Sequence, residues 1–231
     1  MTNHTAILYF ARTPGNDLKS GQFENGRFHT RLISRLSRKT KQAIRASGIP
    51  AVMIDERLQK GDSFAERLTH AIQTVFEKGF EHVIAVGNDC PDLNSDHLLQ
   101  AKYLLESGVN VLGPAVDGGD YLIGIRKSTF RPATFCGAFA KKEEVHTCLM
   151  TVLKDGHESP AELEMLTDID DSISLLSWLK NRHPSREHQS FILFLLDFLA
   201  AKFYHTFRPA ERVVRLVPFR QPHRGPPSLR R

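Results

Sequence analysis

The chain has 231 residues, of which 25% are charged and 41% hydrophobic, and its formal net charge is +5. This length suits one domain with an appendage and allows a substantial buried core. The charge is uneven, because the segment from residue 201 onward carries eight Lys or Arg residues against one acid, while the first 200 residues carry 23 bases and 25 acids. A nearly neutral body argues against a nucleic-acid-binding domain, and we expect no nucleic-acid partner.

The first half of the chain alternates apolar strands with amphipathic helices. The predicted elements are a strand at 5–10, a loop at 11–19, a basic helix at 27–46, a strand at 51–54 and a helix from 63 to 79. Ser63 and Glu66 form a capping box that begins the last of these helices. In the loop, Arg12 and Lys19 either place two cations over a polyphosphate or are ordinary solvated charges.

The stretch 82–93 is the centre of the pattern. An apolar run breaks at Gly87 into a turn that carries Asp89 and Asp92, and Asn94 follows as the expected N-cap of a helix. Ligands of open α/β sheets bind outside the carboxyl ends of the strands, where Asp89 is expected to project. Asp89 either holds a divalent ion, since Mg²⁺ prefers hard oxygen ligands, or shapes the turn as aspartate commonly does.

The three cysteines, Cys90, Cys136 and Cys148, are odd in number and show no CxxC spacing. No signal peptide precedes them, so we expect reduced thiols in a cytoplasmic protein. Cys90 adjoins the acidic turn, whose carboxylates disfavour a thiolate, and it is therefore not expected to be a nucleophile.

In the second half, the predicted elements are a strand from 110, a strand at 122–125, a helix at 141–153, an edge strand at 163–166 and a helix at 173–180. The Asp-Gly-Gly sequence at 117–119 is typical of a tight hairpin turn, although paired glycines also let a backbone approach a ligand closely. Asp168, Asp170 and Asp171 precede the last helix, where they either suit its dipole or provide further metal ligands.

Four motifs occur in order and at suitable spacing. They are Gln59-x-Gly61-x-Ser63-Phe64-x-Glu66-Arg67-Leu68, Gly87-Asn88-Asp89-Cys90-Pro91-Asp92-Leu93, Gly113-Pro114-x-x-Asp117-Gly118-Gly119-x-Tyr121-Leu122-Ile123-Gly124 and Asp168-Ile169-Asp170. Together they resemble a bacterial family of glycosyltransferase-A-fold proteins, usually classed as glycosyltransferases or as radical-SAM/selenodomain-associated transferases. That family is related to the phospholactate guanylyltransferases and the molybdenum-cofactor nucleotidyltransferases. The resemblance covers about residues 5 to 180, and Asp120 stands where the family usually has an aromatic residue.

The resemblance implies an α/β fold, with a Rossmann-like mixed sheet of the nucleotide-diphospho-sugar transferase (GT-A) type and a C-terminal helical appendage. It implies that Asp89 binds a divalent metal, Mg²⁺ or Mn²⁺, and that Asp168 or Asp170 provides the second ligand. Asp89 and Asp117 are the expected catalytic residues, and Asp117 and Asp120 are candidates for the general base by position only. The expected nucleotide- or donor-binding residues are Arg12, Lys19, Gln59, Gly61, Asn88, Gly118 and Gly119.

The leading hypothesis is a metal-dependent glycosyltransferase that moves a sugar from a nucleotide-sugar donor to an acceptor. An ion on Asp89 would bridge the two phosphates and stabilise the departing nucleoside diphosphate, with help from Arg12 and Lys19. One alternative is a nucleotidyltransferase that joins a nucleoside triphosphate to a phosphorylated small molecule. Another is a nucleotide-binding protein without catalytic activity.

We divide the chain into a transferase domain at 1–185, an apolar helix at 186–207 and a basic, proline-rich tail at 208–231. The apolar run at 191–196 is too short to span a bilayer, and Asp197 interrupts it. The helix either lies on an anionic membrane surface or packs on the domain or on a second subunit. We therefore expect a cytoplasmic protein with either peripheral contact with the inner face of the membrane or dimerisation through this helix.

Overall fold

The structure is a computed structural model, and it describes residues 4–16, 26–180 and 195. The chain divides into two compact units, Met1–Ser185 and Arg186–Arg231, and all elements named below lie in the first. The expected helix at 186–207, apart from Leu195, and the tail at 208–231 lie outside the described residues, as does Lys19. In the described part of the chain, no helix is long and apolar enough to cross a membrane.

The described residues form six strands and six α-helices. The strands are β1 (Thr5–Phe10), β2 (Ala51–Ile54), β3 (His82–Val86), β4 (Val111–Pro114), β5 (Asp120–Arg126) and β6 (Ala161–Glu162). The helices are α1 (Gly26–Ser47), α2 (Phe64–Glu77), α3 (Ser95–Glu106), α4 (Pro132–Gly137), α5 (Val145–Val152) and α6 (Ser172–Lys180).

All six strands belong to one mixed sheet in the order β2-β1-β3-β5-β4-β6. Strand β1 is parallel to β2 and β3, whereas β5 is antiparallel to both of its neighbours, β3 and β4. The short strand β6 runs parallel to β4. This arrangement confirms the predicted α/β class with a mixed sheet.

Helices cover both faces of the sheet, because successive side chains of a strand point to opposite faces. In β1, Ala6 and Leu8 pack into the cluster that contains the buried side chains of α2, α4 and α5. Ile7 and Tyr9 pack into the opposite cluster, with buried side chains of α1 and α3. A strand buried on both faces reads as a continuous apolar run, which is the sequence of β1.

The antiparallel strand β5 brings distant segments to one edge of the sheet. Tyr9 of β1 lies opposite Val86 of β3, and Val86 lies opposite Leu122 of β5. The carboxyl ends of β1 and β3 and the amino end of β5 therefore meet at the same edge. The residues that follow β1 and β3, and those that precede β5, consequently surround one space.

The capping residues in the sequence predicted the beginnings of two helices correctly. Ser63 and Glu66 form the predicted capping box of α2, and Asn94 accepts hydrogen bonds from the first turn of α3. The predicted edge strand at 163–166 is wrong in position, because backbone pairing with β4 places β6 at 161–162 and leaves Leu166 as a single bridge to Ala115.

Two further differences lie between β5 and β6. The predicted helix at 141–153 is interrupted, since a 3₁₀ turn at Lys142–Glu144 precedes α5. Helix α4 has only six residues and was not predicted, because so short a helix shows no clear apolar period.

Candidate functional site

A cavity of about 650 Å³ lies at the edge of the sheet where β1 and β3 end and β5 begins. This volume is in the range of small-molecule sites, and the position is the one expected for ligands of open α/β sheets. The predicted site residues that line the cavity are Arg12, Gln59, Asn88, Asp89, Asp117, Gly119, Asp168 and Asp170.

Gly61 and Gly118 are not among the residues that line the cavity, but both have backbone conformations that favour glycine. Gly61 has a φ of +127° and Gly118 a φ of +90°. The Gly61 carbonyl oxygen accepts a hydrogen bond from Arg67, and the Gly118 N–H donates one to Ala115 within the β4–β5 turn. Their effect in the structure is to shape two cavity-forming loops through the backbone.

The acidic turn after β3 is joined to the segment that precedes α6. The Ile169 N–H donates a hydrogen bond of 2.9 Å to the carbonyl oxygen of Asp89. The indole N–H of Trp178, in α6, donates one of 2.8 Å to Asp92. These two bonds hold Asp168 and Asp170 beside Asp89 on the wall of one cavity.

Gly87 leaves room for the carboxylate of Asp89. A Cβ atom built on Gly87 would lie 2.8 Å from Asp89 Oδ1, closer than side chains tolerate. Gly87 does not have a positive φ, so the position requires glycine for space and not for backbone conformation. The break in the apolar run thus fixes the orientation of one acidic side chain.

Asn88 and Cys90 flank Asp89, and both are buried. The Asn88 amide donates a hydrogen bond of 3.0 Å to Ser37 of α1, which ties the acidic turn to that helix. Burial, followed by the charges of Asp168 and Asp89, raises the pKa of the Cys90 thiol well above its usual value. Cys90 therefore remains a thiol, as the sequence indicated.

The three acidic residues Asp89, Asp168 and Asp170 present the hard oxygen atoms that Mg²⁺ and Mn²⁺ prefer. Among the described residues, no group of three or more His, Cys, Asp or Glu side chains is arranged to hold a metal ion. Mg²⁺ is usually held by one or two carboxylates and completed by substrate phosphates.

Of the three acidic residues before α6, the one that caps the helix is Asp171. Its carboxylate accepts hydrogen bonds from the N–H groups of Ile173 and Ser174. Asp168 and Asp170 instead line the cavity. The helix-capping interpretation therefore applies to Asp171, and the metal-ligand interpretation stays a prediction for Asp168 and Asp170.

Two basic residues, Arg12 and Arg67, line the cavity. The loop that carries Arg12 is held by Glu56, whose carboxylate accepts hydrogen bonds of 2.8 Å from the Thr13 N–H, the Thr13 hydroxyl and the Asn16 amide. The Asn16 bond and then the other bonds lower the pKa of Glu56 to about 2. Arg67 Nη1 donates to the Asp62 carbonyl oxygen at 2.8 Å.

Aromatic rings form an apolar side of the same cavity. Phe64, the first residue of α2, is 53% exposed. Its ring lies edge-on to the rings of Phe10 and Phe139, at centroid distances of 5.9 and 5.7 Å. All three residues line the cavity. The site therefore combines charged and apolar surfaces, which is typical of pockets for organic ligands.

Asp120 and His146 form a further polar group at the cavity. Asp120 Oδ1 lies 2.8 Å from His146 Nδ1, and His146 Nε2 lies 2.9 Å from Glu162 Oε1. Burial raises the pKa of Asp120 to about 6, against the lowering effect of His146. Burial lowers the pKa of His146, but the bonds to Asp120 and Glu162 more than offset this, and the net pKa is raised.

Sequence reasoning missed Phe64, Arg67 and Phe139, which line the cavity, and His146, which is hydrogen-bonded to Asp120. Phe64 and Arg67 stand inside a motif that was recognised, so their presence there was an available signal. His146 is one of eleven histidines and has no distinctive spacing. Its hydrogen bond to Asp120 depends on the packing of α5 against the β4–β5 turn. There the backbone N–H of His146 donates a hydrogen bond to the Gly118 carbonyl oxygen.

The chain is similar to a protein from Desulfovibrio desulfuricans G20 that is described as a "putative nucleotide-diphospho-sugar transferase". The identity is 23% and the TM-score 0.74, with 86% of this chain and 96% of the other covered. At this identity the similarity establishes the fold, which confirms the predicted class.

The family comparison agrees with the motifs. Residues 30–140 match the model of a family described as "Uncharacterized protein conserved in bacteria (DUF2064)". This region contains three of the four motifs, and the match confirms the resemblance to a bacterial family. No curated protein matches the chain.

Two solved structures of Rv0371c from Mycobacterium tuberculosis H37Rv are more distant. One is 13% identical with a TM-score of 0.46, and the other, a complex with manganese, is 14% identical with a TM-score of 0.41. Each similarity covers 78% of this chain and 100% of the other. At TM-scores below 0.5 they do not establish a shared fold.

Proposed function

We propose that this protein is a glycosyltransferase that moves a sugar from a nucleotide-sugar donor to an acceptor, with a divalent ion bound at Asp89. The observation that carries the proposal is that the acidic residues Asp89, Asp168 and Asp170 line the same cavity as the basic residues Arg12 and Arg67. Acidic and basic groups in one cavity are the complement of a metal–diphosphate unit.

Asp89, with Asp168 or Asp170, would hold the ion, which when bound supplies positive charge to a diphosphate leaving group. Arg12 and Arg67 contribute fixed positive charge on the phosphate oxygens, which strengthens as negative charge develops during bond cleavage. Lys19, which the sequence also assigned to this role, lies outside the described residues and stays a prediction. Arg67 provides the second cation among the described residues.

The loops that hold these groups limit their movement. Glu56 fixes the loop of Arg12, and the Ile169–Asp89 bond fixes the acidic turn. Gln59 and Phe64 line the same cavity, where they would provide polar and apolar contacts for the donor. Preorganised charges of this kind need little rearrangement when the reaction occurs, which is the condition for electrostatic catalysis.

The proposal is tested by donor binding in the presence and absence of Mn²⁺ or Mg²⁺. Nucleotide sugars are expected to raise the melting temperature of the full chain only when the ion is present. D89N is expected to remove the ion-dependent part of the shift, whereas D96N, which changes an exposed aspartate of α3, leaves it intact. The absence of a shift with every nucleotide sugar, or an unchanged shift in D89N, contradicts the proposal.

The product of turnover distinguishes the alternatives from the sequence. Release of a nucleoside diphosphate from a nucleotide sugar supports glycosyl transfer. Release of pyrophosphate from a nucleoside triphosphate would instead support nucleotidyl transfer. Nucleotide binding without any turnover would support a non-catalytic binding protein.

A further inference from the structure

Asp120 is a buried carboxylate on the cavity wall that is only partly satisfied. It is the first residue of β5, and its side chain is 1% exposed. Oδ1 is bound by His146, while Oδ2 is buried and has no hydrogen-bond partner among the described residues. Since a buried polar atom without a partner costs free energy, a ligand hydroxyl that donates to Oδ2 would remove this cost.

His146 and Glu162 connect Asp120 to the protein surface. Both ring nitrogens of His146 face carboxylate oxygens, and the side chain of Glu162 is 50% exposed. A charged imidazolium donates to both carboxylates at once, which fixes the ring and holds Asp120 in its ionised form. The hydrogen bond from the backbone N–H of His146 to the carbonyl oxygen of Gly118 keeps this histidine beside the Asp-Gly-Gly turn.

We propose that Asp120 accepts the proton of the acceptor hydroxyl during sugar transfer and that His146 and Glu162 are its positioning residues. This inference rests on the proposed function, and it defines the acceptor as a molecule that reacts through a hydroxyl group. The acceptor oxygen forms a bond to the anomeric carbon as the bond from that carbon to the phosphate oxygen breaks. The electron pair of the broken bond leaves with the nucleoside diphosphate, and the hydroxyl proton passes to Asp120 Oδ2.

The electrostatic surroundings of Asp120 suit a base that works near neutral pH. The charged groups that act on it are His146, Glu162 and Asp117, of which His146 lowers its pKa and the two carboxylates raise it. With burial as the largest influence, the pKa of Asp120 is about 6. A general base is most effective when its pKa lies close to the working pH. After the product leaves, the proton is released to solvent.

The experiment measures nucleoside diphosphate release from a nucleotide sugar as a function of pH, with the full chain and saturating Mn²⁺ or Mg²⁺. D120N is expected to lower kcat by about 100-fold or more, the usual contribution of a general base. Its donor Kd, measured by calorimetry, is expected to stay within about twofold of the unsubstituted protein, because the donor phosphates contact other residues.

Two further variants separate proton transfer from a structural role. H146Q is expected to move the acid limb of the pH profile to higher pH, because Asp120 loses the imidazolium that lowers its pKa. E158Q changes an exposed carboxylate outside the cavity and is expected to leave rate and profile unchanged. A purely structural role for Asp120 would lower the melting temperature without moving this limb.

The outcomes are distinguishable. If D120N keeps a kcat within about threefold of the unsubstituted protein, or if H146Q leaves the acid limb in place, the assignment of Asp120 is wrong while donor binding still supports the transferase. If D120N does not fold, the H146Q profile decides. If the unsubstituted protein neither binds nor consumes any nucleotide sugar, the proposed function fails, and this assignment with it.

Discussion

The backbone N–H of Ile169 donates a hydrogen bond of 2.9 Å to the carbonyl oxygen of Asp89, and this bond joins two acidic segments that are far apart in the sequence. Asp89 follows the third strand, and Ile169 lies between Asp168 and Asp170 just before the last described helix. Because the bond uses only backbone atoms, it joins the two segments without involving the carboxylates of Asp89, Asp168 or Asp170, and all three residues line the cavity.

Gly87→Ala tests whether the orientation of Asp89 matters. The new methyl group would lie 2.8 Å from Asp89 Oδ1, so the carboxylate must rotate away while the backbone keeps its conformation. We expect metal affinity in the presence of a donor to fall about tenfold, equivalent to about 1.4 kcal/mol. The fluorescence of Trp178, the only tryptophan in the sequence, provides the titration signal.

The matched control for this change is Gly137→Ala in α4, where a Cβ atom meets nothing within 4 Å. Alanine at this helical position is expected to leave metal affinity unchanged and to stabilise the fold by about 0.5–1 kcal/mol. Equal metal affinity in Gly87→Ala and the unsubstituted protein would show that Asp89 does not need its present orientation.

Trp178→Phe tests the attachment of α6 to the acidic turn. The substitution keeps an aromatic ring in a site that is 2% exposed but removes the hydrogen bond to Asp92. We expect the free energy of unfolding to fall by about 1.5–3 kcal/mol, because the lost bond involves a carboxylate. Urea denaturation followed by circular dichroism measures this, and Asp92→Asn, which keeps an acceptor oxygen, is expected to lose less.

Glu56→Gln tests the support of the Arg12 loop. Its carboxylate accepts three hydrogen bonds from Thr13 and Asn16, so we expect faster amide hydrogen exchange at Thr13 and a several-fold weaker donor affinity. Asp55→Asn is the control, because the side-chain bonds of Asp55 go to Arg57 alone. Unchanged exchange at Thr13 would contradict this role for Glu56.

The pH dependence of the same contact follows from the sign of the pKa shift. The pKa of Glu56 is lowered to about 2, below the value of about 4.3 expected in the unfolded chain. Its stabilising contribution is therefore complete above about pH 4.3 and is lost as the pH falls through about 2. Protection of the Thr13 amide should persist from pH 7 to about pH 5, and its loss in that range would contradict the assignment.

Gly113→Ala tests the contact between β4 and the ring of Tyr121. A Cβ atom on Gly113 would lie 2.5 Å from this ring, and we expect the overpacking to cost about 1–3 kcal/mol of stability. Tyr121→Phe removes a hydrogen bond to the Glu164 carbonyl oxygen and should cost about 0.5–1.5 kcal/mol. Tyr103→Phe, at a site 71% exposed, should change stability by less than about 0.5 kcal/mol.

Much of the fold was predictable because local signals and the tertiary structure agree. The apolar run of β1, the capping box at Ser63 and the N-cap at Asn94 each specify their element within a few residues. The edge strand was misplaced because a two-residue strand depends on its partner β4 and carries no period of its own. Helix α4 was missed for a similar reason, since six residues are too few to show an amphipathic pattern.

The candidate site was predictable in part, from residues that lie beside a strand end or in a recognised motif. Asp89, Asp117 and Arg12 were found in this way, and all three line the cavity. Arg67 was overlooked because the capping box explained its neighbours Ser63 and Glu66 fully. No sequence pattern indicated the hydrogen-bonded chain from Asp120 through His146 to Glu162, because these residues belong to three separate secondary-structure elements.

The sequence by itself determined most of the strands and helices and the acidic turn after the third strand, because these depend on apolar period and capping between near neighbours. Its four motifs indicated the class of fold through their resemblance to a known family. Only the tertiary structure determined which charged side chains lie close together. The antiparallel direction of β5 places Asp120 at the end of the sheet where β1 and β3 terminate. A backbone hydrogen bond places Ile169 against Asp89. Contacts between residues distant in the chain depend on sheet order and strand direction, which no local pattern of residues encodes.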